Sequence, residues 1–400
     1  MRAIRYVKSV PRYLTARYLG RRFPSLYTSG WAALQYVDIE PQPLPSPRWT
    51  RVRPSLSGIC GSDLASLTAE GSAYFSPFTP SPFVFGHEVV GEVIECGAQV
   101  DRFKTGDRVI LQPPLTCRVR QPEQPCSYCL GGNDIYCHKI DQGVIGAGLQ
   151  TGFCQDTGGG WSDSFVAHEL QLHAAPADLP DEIAVLAEPF SCSLHAANRA
   201  PLKDDKRILV IGCGTMGALT LAAIRSLGCK SHVTVVAKHP HQQELARRLG
   251  ADIVIGTGSG FYSEIAEIYQ ARSFQPELGG PVFLGGADLC FDCIGSSRTI
   301  DDALRLTDTG GAVMLVGMPG IPKNVDWTAI WFKELTVTSS YTCHLPLFAR
   351  AIDEVGKLRQ ELEGFVGAVY ALEDYRKAIH CALNTGSSKV LKTAFRVHPP

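Results

Sequence analysis

The stretch "KRILVIGCGTMGALTLAAIRSLG", residues 206–228, decides the fold. Its first half is an aliphatic run typical of a buried strand, and its second half has the composition of a helix that ends at a glycine. Between them, Gly212, Gly214 and Gly217 have the G-x-G-x-x-G spacing. The first glycine permits a tight turn, the second lets the backbone approach a pyrophosphate, and the third lets helix and strand pack together. The stretch therefore predicts a dinucleotide-binding site.

The same motif predicts which other residues contact the cofactor. Thr215 and Met216 begin the helix, whose N-terminus faces the phosphates. An NAD site usually has a carboxylate about 20 residues further on, where it binds the ribose hydroxyls. Here that position is Ala237, followed by Lys238 and His239. A missing acid and basic neighbours favour a 2′-phosphate, so we expect NADP rather than NAD, while binding of either cofactor stays open.

The wider pattern predicts an α/β protein with two domains. Residues 190–340 alternate strand-like and helix-like segments, which is typical of a Rossmann domain with a doubly wound parallel sheet. Residues 1–189 are rich in glycine, proline and short β-like runs, and residues 341–400 combine a helical stretch with a final strand. A chain of 400 residues is also too long for one ordinary core.

Composition excludes several classes of protein. The net charge of −1 gives no electrostatic footprint for nucleic acid. No apolar run is long enough to span a bilayer, and the N-terminus lacks the features of a secretory signal. The chain has 14 cysteines, which in a protein of this size favour metal-binding thiolates in a reducing compartment, and we expect a cytoplasmic protein.

Two short segments carry side chains that zinc prefers. "GICGSD" contains Cys60, and "FGHEVVGEV" contains His87 and Glu88. Thiolate, imidazole and carboxylate are the three ligand types found at catalytic zinc sites, which keep one position open for a substrate. Neither segment alone establishes a site.

The ordered set "GICGSD", "GHEVVGEV", "GDRV", the cysteine cluster, "EPFSCSLHA" and "VIGCGTMG" resembles the zinc-dependent medium-chain alcohol dehydrogenases. That family contains alcohol, polyol and threonine dehydrogenases. The resemblance implies a GroES-like β domain in residues 1–189, which holds the catalytic zinc. It also implies an inserted Rossmann domain in 190–340 and a return to the first domain in 341–400.

The resemblance also assigns roles around the catalytic zinc. Cys60 and His87 match zinc ligands, and Glu88 matches an acidic residue at or near the metal. Glu188, which opens "EPFSCSLHA", matches a glutamate that replaces the third ligand in the polyol dehydrogenase branch. Which of the two glutamates binds zinc directly stays open.

Two further residues match the family's proton-handling positions. Ser62 matches the hydroxyl that passes on the substrate proton, and Asp63 matches the carboxylate that orients the ligand histidine. Relatives often carry a histidine shortly after this aspartate as the next relay member. Here the run is "DLASL", so the proton must leave through water or another group.

Residues 117–137 match the family's structural-zinc lobe, with one departure. Three cysteines fit the last three positions of the usual spacing: Cys126, Cys129 and Cys137. The first position falls on Glu123, and Cys117 lies further back. We favour Cys117 as the fourth ligand because thiolate is softer and four sulfurs suit zinc. A lobe without metal is the alternative.

Residues 8–31, "KSVPRYLTARYLGRRFPSLYTSGW", look like an insertion relative to the family. Between Arg2 and Arg22 there are seven basic residues and no acidic ones, interleaved with aromatic and aliphatic side chains. The segment is interpreted first as a surface helix packed on the β domain. Weak contact with an anionic membrane surface, a partner site or a cover for the substrate entrance are the alternatives.

Together these observations predict a zinc-dependent oxidoreductase. We expect hydride transfer between a secondary alcohol or polyol, or its carbonyl, and NADP(H) or NAD(H), in a homodimer or homotetramer. The alternatives are a zinc-independent enoyl or quinone reductase, which would lack the ligand set, and a non-catalytic NAD(P)-binding redox sensor.

Overall fold

The computed structural model describes residues 1–398, and its regular elements are numbered along the chain. The strands are β1 (Arg2–Tyr6), β2 (Leu34–Asp38), β3 (Trp49–Gly58), β4 (Phe83–Val84), β5 (Val89–Cys96), β6 (Arg108–Leu111), β7 (Phe165–His168), β8 (Leu172–Ala174), β9 (Arg207–Ile211), β10 (His232–Val236), β11 (Ile253–Ile255), β12 (Arg272–Phe274), β13 (Val282–Leu284), β14 (Ala287–Asp292), β15 (Thr307–Leu315), β16 (Thr336–Ser339), β17 (Val366–Tyr370) and β18 (Lys392–Arg396).

The helices follow the same order. They are α1 (Val10–Leu19), α2 (Gly61–Leu67), α3 (Cys117–Arg120), α4 (Ser127–Leu130), α5 (Asp181–Ala184), α6 (Ala187–Arg199), α7 (Thr215–Ser226), α8 (Pro240–Arg248), α9 (Phe261–Ile268), α10 (Ser297–Leu306), α11 (Thr328–Lys333), α12 (Leu345–Lys357), α13 (Tyr375–Leu383) and α14 (Thr385–Ser388). Short 3₁₀ turns lie at Pro24–Thr28, Ala73–Phe78, Asp134–Tyr136, Glu169–Gln171 and Leu372–Asp374. Within residues 1–398, every helix is too short or too polar to cross a bilayer.

The chain divides into two compact units. One contains Met1–Glu188 together with residues from 343 onward, and the other contains Pro189–Thr342. The expected boundaries, after residues 189 and 340, lie close to these divisions. The last two residues of the expected return segment, 399 and 400, lie outside the described residues.

The second unit is built on a six-stranded sheet in the order β11-β10-β9-β14-β15-β16, and every neighbouring pair is parallel. The chain starts in the middle at β9, builds outward to β11, and then crosses to β14 on the other side. The aliphatic residues of β9 are buried because helices cover both faces of a parallel sheet. The doubly wound order confirms the predicted Rossmann fold and places a ligand crevice where the order reverses.

The first unit is a β domain. Its larger sheet has the order β17-β18-β3-β5-β6-β8, with β7 also paired to β3, and its smaller sheet has the order β2-β1-β4. β3 is the long central strand, antiparallel to both β18 and β5. The aromatic residues Phe85, Trp161 and Phe395 fill the core beside it. This arrangement brings the chain that follows β3, the chain that precedes β5 and the start of β18 together at one end of the sheet.

The N-terminal insertion forms α1 and the turn after it. Ser9 caps the helix by accepting the Arg12 N–H, and Pro11 lies in the first turn, where its missing N–H costs nothing. No residue of α1 is fully buried. The helix therefore rests on the surface of the domain, with Ala16 partly buried against the core.

Candidate metal centres and cofactor loop

Three predicted ligands of the catalytic zinc meet in the first unit. Cys60 follows β3 and caps α2, while His87 and Glu88 directly precede β5. The ligand atoms of these three side chains all lie within 4.8 Å of one another. Because β3 and β5 are paired, residues distant in sequence converge at the same end of the sheet.

The charges around this group suit a cation. The Nδ1 atom of His87 lies 3.5 Å from Oδ1 of Asp63, and both side chains are buried. Burial lowers the pKa of His87, but the negative charges of Asp63 and Cys60 raise it by more, so it lies well above its usual value. A buried imidazole among anionic partners marks a pocket that attracts positive charge, and its sulfur, nitrogen and oxygen donors fit zinc.

Asp63 and Ser62 lie in the first turn of α2, beside Cys60. The Asp63 carboxylate accepts the backbone N–H of Cys60 at 2.9 Å and faces His87, which matches the predicted orienting position. The hydroxyl oxygen of Ser62 is buried, and it has no hydrogen-bond partner among residues 1–398. A buried hydroxyl without a partner is costly, and a substrate hydroxyl would satisfy it.

Lys392 is a further residue of this site that the sequence interpretation missed. It opens β18, next to β3, and its ammonium forms an ion pair with the Glu88 carboxylate. The exposed fractions are 3% for Lys392 and 1% for Glu88. Burial lowers the pKa of Lys392, but Glu88 and Cys60 raise it by more. The available signal was Lys392 in the middle of the strand-like "KVLKTAF".

Glu188 occupies a different place from Glu88. It is buried in the first turn of α6 and raises the pKa of Lys392 through its charge. Among the described residues, however, the group of mutually close ligand atoms contains Cys60, His87 and Glu88 without Glu188. The structure thus brings Glu88 together with Cys60 and His87, and it leaves Glu188 outside this group, near Lys392.

The predicted structural-zinc lobe brings four cysteines together. The sulfur atoms of Cys117, Cys126, Cys129 and Cys137 lie within 4.8 Å of one another. The Sγ atoms of Cys117 and Cys137 are 3.5 Å apart, near the about 3.8 Å expected between sulfurs bound tetrahedrally to zinc. Glu123, the alternative first position, is exposed and lies outside this group.

The thiols of this lobe cannot all ionise without a cation among them. Burial raises the pKa of Cys126, but backbone N–H donors of Cys129 and His138 lower it by more, to about 6. Burial raises the pKa of Cys137 to about 11, and it also raises that of Cys129. The backbone therefore favours the thiolate of Cys126, while Cys129 and Cys137 need a bound cation to lose their protons.

The glycine loop has the backbone that a dinucleotide requires. Gly212 has a φ of 90° at the end of β9, a left-handed conformation that favours glycine. A methyl group at Gly217 would overlap the carbonyl oxygen of Gly212, so this close packing of helix and strand needs glycine. No heavy atom of the described residues lies within 4 Å of the position that a Cβ of Gly214 would take, which leaves the open space a pyrophosphate needs.

The remaining predicted cofactor residues surround this loop. Thr215 and Met216 begin α7, and Gly214 caps it. Lys238 is exposed two residues after β10, and His239 caps α8. Because β9 and β10 are parallel, their carboxyl ends lie at the same edge of the sheet, and Lys238 follows the strand next to the glycine loop.

Comparisons with known proteins agree with this architecture. The family model "Alcohol dehydrogenase GroES-like domain" matches residues 46–177, and "Zinc-binding dehydrogenase" matches residues 215–357. A sorbitol dehydrogenase of Arabidopsis thaliana is 30% identical over 285 residues, which cover 70% of this chain and 71% of that protein. An L-idonate 5-dehydrogenase of Vitis vinifera is 28% identical, with 77% and 78% covered.

A solved structure supports the same fold over the whole length. The 2R,3R-butanediol dehydrogenase of Bacillus subtilis superposes with a TM-score of 0.73, at 22% identity, and 99% of each chain is covered. With its ordered ligand segments, its glycine loop and these matches, the chain belongs to the zinc-dependent medium-chain alcohol and polyol dehydrogenase family.

Proposed function

We propose that this protein oxidises a secondary alcohol of a polyol to a ketone, and catalyses the reverse reduction, with NADP(H) as the preferred cofactor. The observation that carries the proposal is the convergence of Cys60, His87 and Glu88 in a chain that also has a complete glycine loop. A zinc-independent reductase would not need this ligand set. For a redox sensor, these three ligands and the Ser62 hydroxyl would have no purpose.

In this proposal, Cys60, His87 and Glu88 hold zinc, and Ser62 handles the proton. Zinc bound there supplies a Lewis acid that polarises the substrate oxygen. The Ser62 hydroxyl would accept the proton from the alcohol and pass it to water. A nicotinamide cofactor, which the glycine loop would hold, would supply the hydride acceptor. Asp63 keeps the His87 ring oriented, and Lys392 balances the charge of Glu88.

The preference for NADP rests on the residues after β10. Ala237 occupies the position where an NAD site has its carboxylate, and the exposed Lys238 next to it can pair with a 2′-phosphate. Among solved structures with the same fold, one from Sinorhizobium meliloti, 23% identical, was bound to NADP, and one from Escherichia coli, 21% identical, was bound to NADH, so the preference rests on Ala237 and Lys238. Thr215, Met216 and His239 would line the rest of the cofactor site.

The cysteine lobe would hold a second, structural zinc. Four sulfurs without an open position form a closed site, which stabilises a fold and does not bind substrate. A free Cys117 among three other thiols would have no comparable role.

The names of the relatives indicate a class of substrate but no particular compound. Their names include idonate, sorbitol and D-arabinitol dehydrogenases, all acting on polyhydroxylated carbon chains. Threonine dehydrogenases also match, at 28% identity, and act on a secondary alcohol. We therefore infer a secondary hydroxyl group that has a polar neighbour on the next carbon.

We also infer a cytoplasmic homodimer or homotetramer. β16 forms an edge of the six-stranded sheet, and an edge strand presents unpaired backbone groups to a second copy. Trp331 nearby is 81% exposed, more than a large aromatic side chain usually is in a monomer. A reducing compartment suits thiolates that bind zinc.

The decisive experiment is an activity panel with zinc-loaded protein. Polyols, simple secondary alcohols and L-threonine would each be tested with NADP and with NAD, with absorbance of the reduced cofactor as the readout. We expect turnover of a polyol, stronger with NADP, that Cys60→Ser abolishes. The control Cys96→Ser, a half-buried thiol outside the site, should keep its activity. Cofactor binding without turnover of any alcohol would contradict the proposal.

A further inference from the structure

The N-terminal insertion exposes an unusual number of large apolar side chains. On α1, the exposed fractions are 73% for Val10, 45% for Leu14 and 72% for Tyr18. Further along the insertion, they are 54% for Phe23 and 57% for Trp31. Soluble proteins expose such side chains singly, but clusters of them mark interaction sites.

The helix contacts its own domain along one narrow side. Ala16 packs against the domain core, and Gly20, one turn later, is buried against the ring of Tyr27. Successive residues of a helix are rotated by about 100°, so Leu14 and Tyr18, each two residues from Ala16, project from the opposite side. Ala16, Gly20 and the guanidinium of Arg17, which donates to the Ala69 carbonyl at 2.8 Å, thus attach the helix, while Leu14 and Tyr18 point outward.

The charge of this surface is positive. The exposed residues Arg17, Arg21 and Arg22 accompany the apolar side chains, and no acidic residue precedes Asp38. One acidic partner reaches the segment from outside, since Glu70 binds Arg21 at 2.7 Å. One carboxylate against several arginines leaves an excess of positive charge.

We propose that the outer face of residues 10–31 docks on an anionic lipid surface. Arginine, tyrosine and tryptophan have an apolar stem or ring and a polar end, which suits the headgroup boundary of a bilayer. The face is the exposed side of a surface helix, with apolar side chains set between arginines, so it can sink into a headgroup layer. A protein partner would instead need a broad complementary patch.

This inference is independent of the redox chemistry. The insertion lies outside the segments that carry the zinc ligands and the glycine loop, so binding to lipid can hold or fail whatever the substrate is. In the cell, the docking would bring the enzyme to the cytoplasmic leaflet, whose anionic lipids attract basic segments.

Co-sedimentation of the full-length, zinc-loaded protein with vesicles tests the proposal. Neutral phosphatidylcholine vesicles would be compared with vesicles containing 30% phosphatidylserine, in low and high salt. We expect binding to the anionic vesicles that weakens as salt rises. Arg21→Gln with Arg22→Gln should weaken it roughly 25-fold, at about fivefold for each arginine. Leu14→Ser with Tyr18→Ser should weaken it by about tenfold or more.

A matched control replaces one exposed aliphatic residue and one exposed arginine that lie outside the insertion. Leu278 is 90% exposed and Arg247 is exposed, so Leu278→Ser with Arg247→Gln should bind vesicles like the parent protein. Brominated lipid should quench the fluorescence that Trp31 contributes, and Trp31→Phe should remove that part of the quenching.

Three results would overturn the proposal. The first is no binding to anionic vesicles at low salt. The second is equal loss of binding in the control pair and in the α1 variants. The third is tight binding to soluble polyglutamate together with no quenching of Trp31 by brominated lipid, which would assign the surface to an acidic protein. Dehydrogenase activity of each variant, measured without vesicles, separates this outcome from a failure of the proposed function.

Discussion

Replacement of Lys392 by methionine tests the charge balance of the catalytic metal group. Methionine preserves most of the length and apolar stem of lysine but removes the ammonium. Glu88, which is 1% exposed, would then be a buried carboxylate without its counter-charge. We predict that the variant depends on zinc for its stability far more than the parent protein does.

The magnitude follows from the burial of both partners. Breaking a buried ion pair by removing one partner typically costs about 3–5 kcal/mol, since the remaining charge is uncompensated. In a unit of this size, that loss lowers the midpoint of thermal unfolding by roughly 6–20 °C. Bound zinc supplies positive charge beside Glu88, so with zinc the loss should shrink to less than half.

The assay is thermal and urea unfolding of the parent protein and the variant, each with a chelator and with excess zinc. Lys333→Met is the matched control. Lys333 is 2% exposed, but it donates to the backbone carbonyls of Arg305 and Thr307 at 2.6 and 2.7 Å rather than to a carboxylate. Its replacement should destabilise the second unit by the same amount with and without zinc.

Two outcomes would refute this reasoning. A loss for Lys392→Met that is equal with chelator and with zinc would show that zinc does not compensate Glu88. A loss below about 1 kcal/mol in chelator would show that the buried pair contributes little to the fold.

Three further predictions concern other parts of the chain. Gly217→Ala should unfold the second unit or abolish cofactor binding, because its methyl group would overlap a backbone carbonyl. Gly214→Ala should fold normally and only weaken cofactor binding. Fluorescence titration with NADPH measures both. Burial lowers the pKa of His168 to about 4, below the value of about 6.5 in the unfolded chain. The free energy of unfolding is therefore greatest above pH 6.5, and it falls by up to about 3 kcal/mol as the pH approaches 4. His168→Asn should lose less over that range in urea titrations at each pH, and an identical loss would contradict the assignment. The buried Arg120 donates to four backbone carbonyls next to the cysteine lobe. Arg120→Lys should therefore lower the free energy of unfolding by about 3 kcal/mol and speed the reaction of the lobe cysteines with a thiol reagent. Unchanged reactivity would contradict this role.

The sequence was most informative where local geometry restricts the choice of residue. The glycine loop could be predicted because a left-handed turn and a close helix contact both require glycine at fixed spacing. The parallel sheet could be predicted because strands buried on both faces have continuous aliphatic runs. Cys60, His87 and Glu88 were found through the resemblance to the family, because their convergence depends on the pairing of β3 and β5 and not on sequence spacing.

The interactions that the sequence did not predict all depend on distant pairing. Lys392 lies 304 residues from Glu88, and a lysine near the end of a chain is usually a solvated surface charge. The choice between Glu88 and Glu188 could not be made either, because both are acidic residues in matching segments. The sequence also could not decide which side chains of the insertion are exposed. A helix that packs its apolar residues on the core and one that exposes them to solvent have similar compositions.

The most direct test of the account is the zinc content of the purified protein and its variants by elemental analysis. We predict two zinc ions per chain in the parent protein, one in Cys60→Ser with activity lost, and one in Cys117→Ser with the catalytic ion retained. A parent protein with no zinc at full activity, or a Cys60→Ser variant with unchanged zinc content, would contradict it.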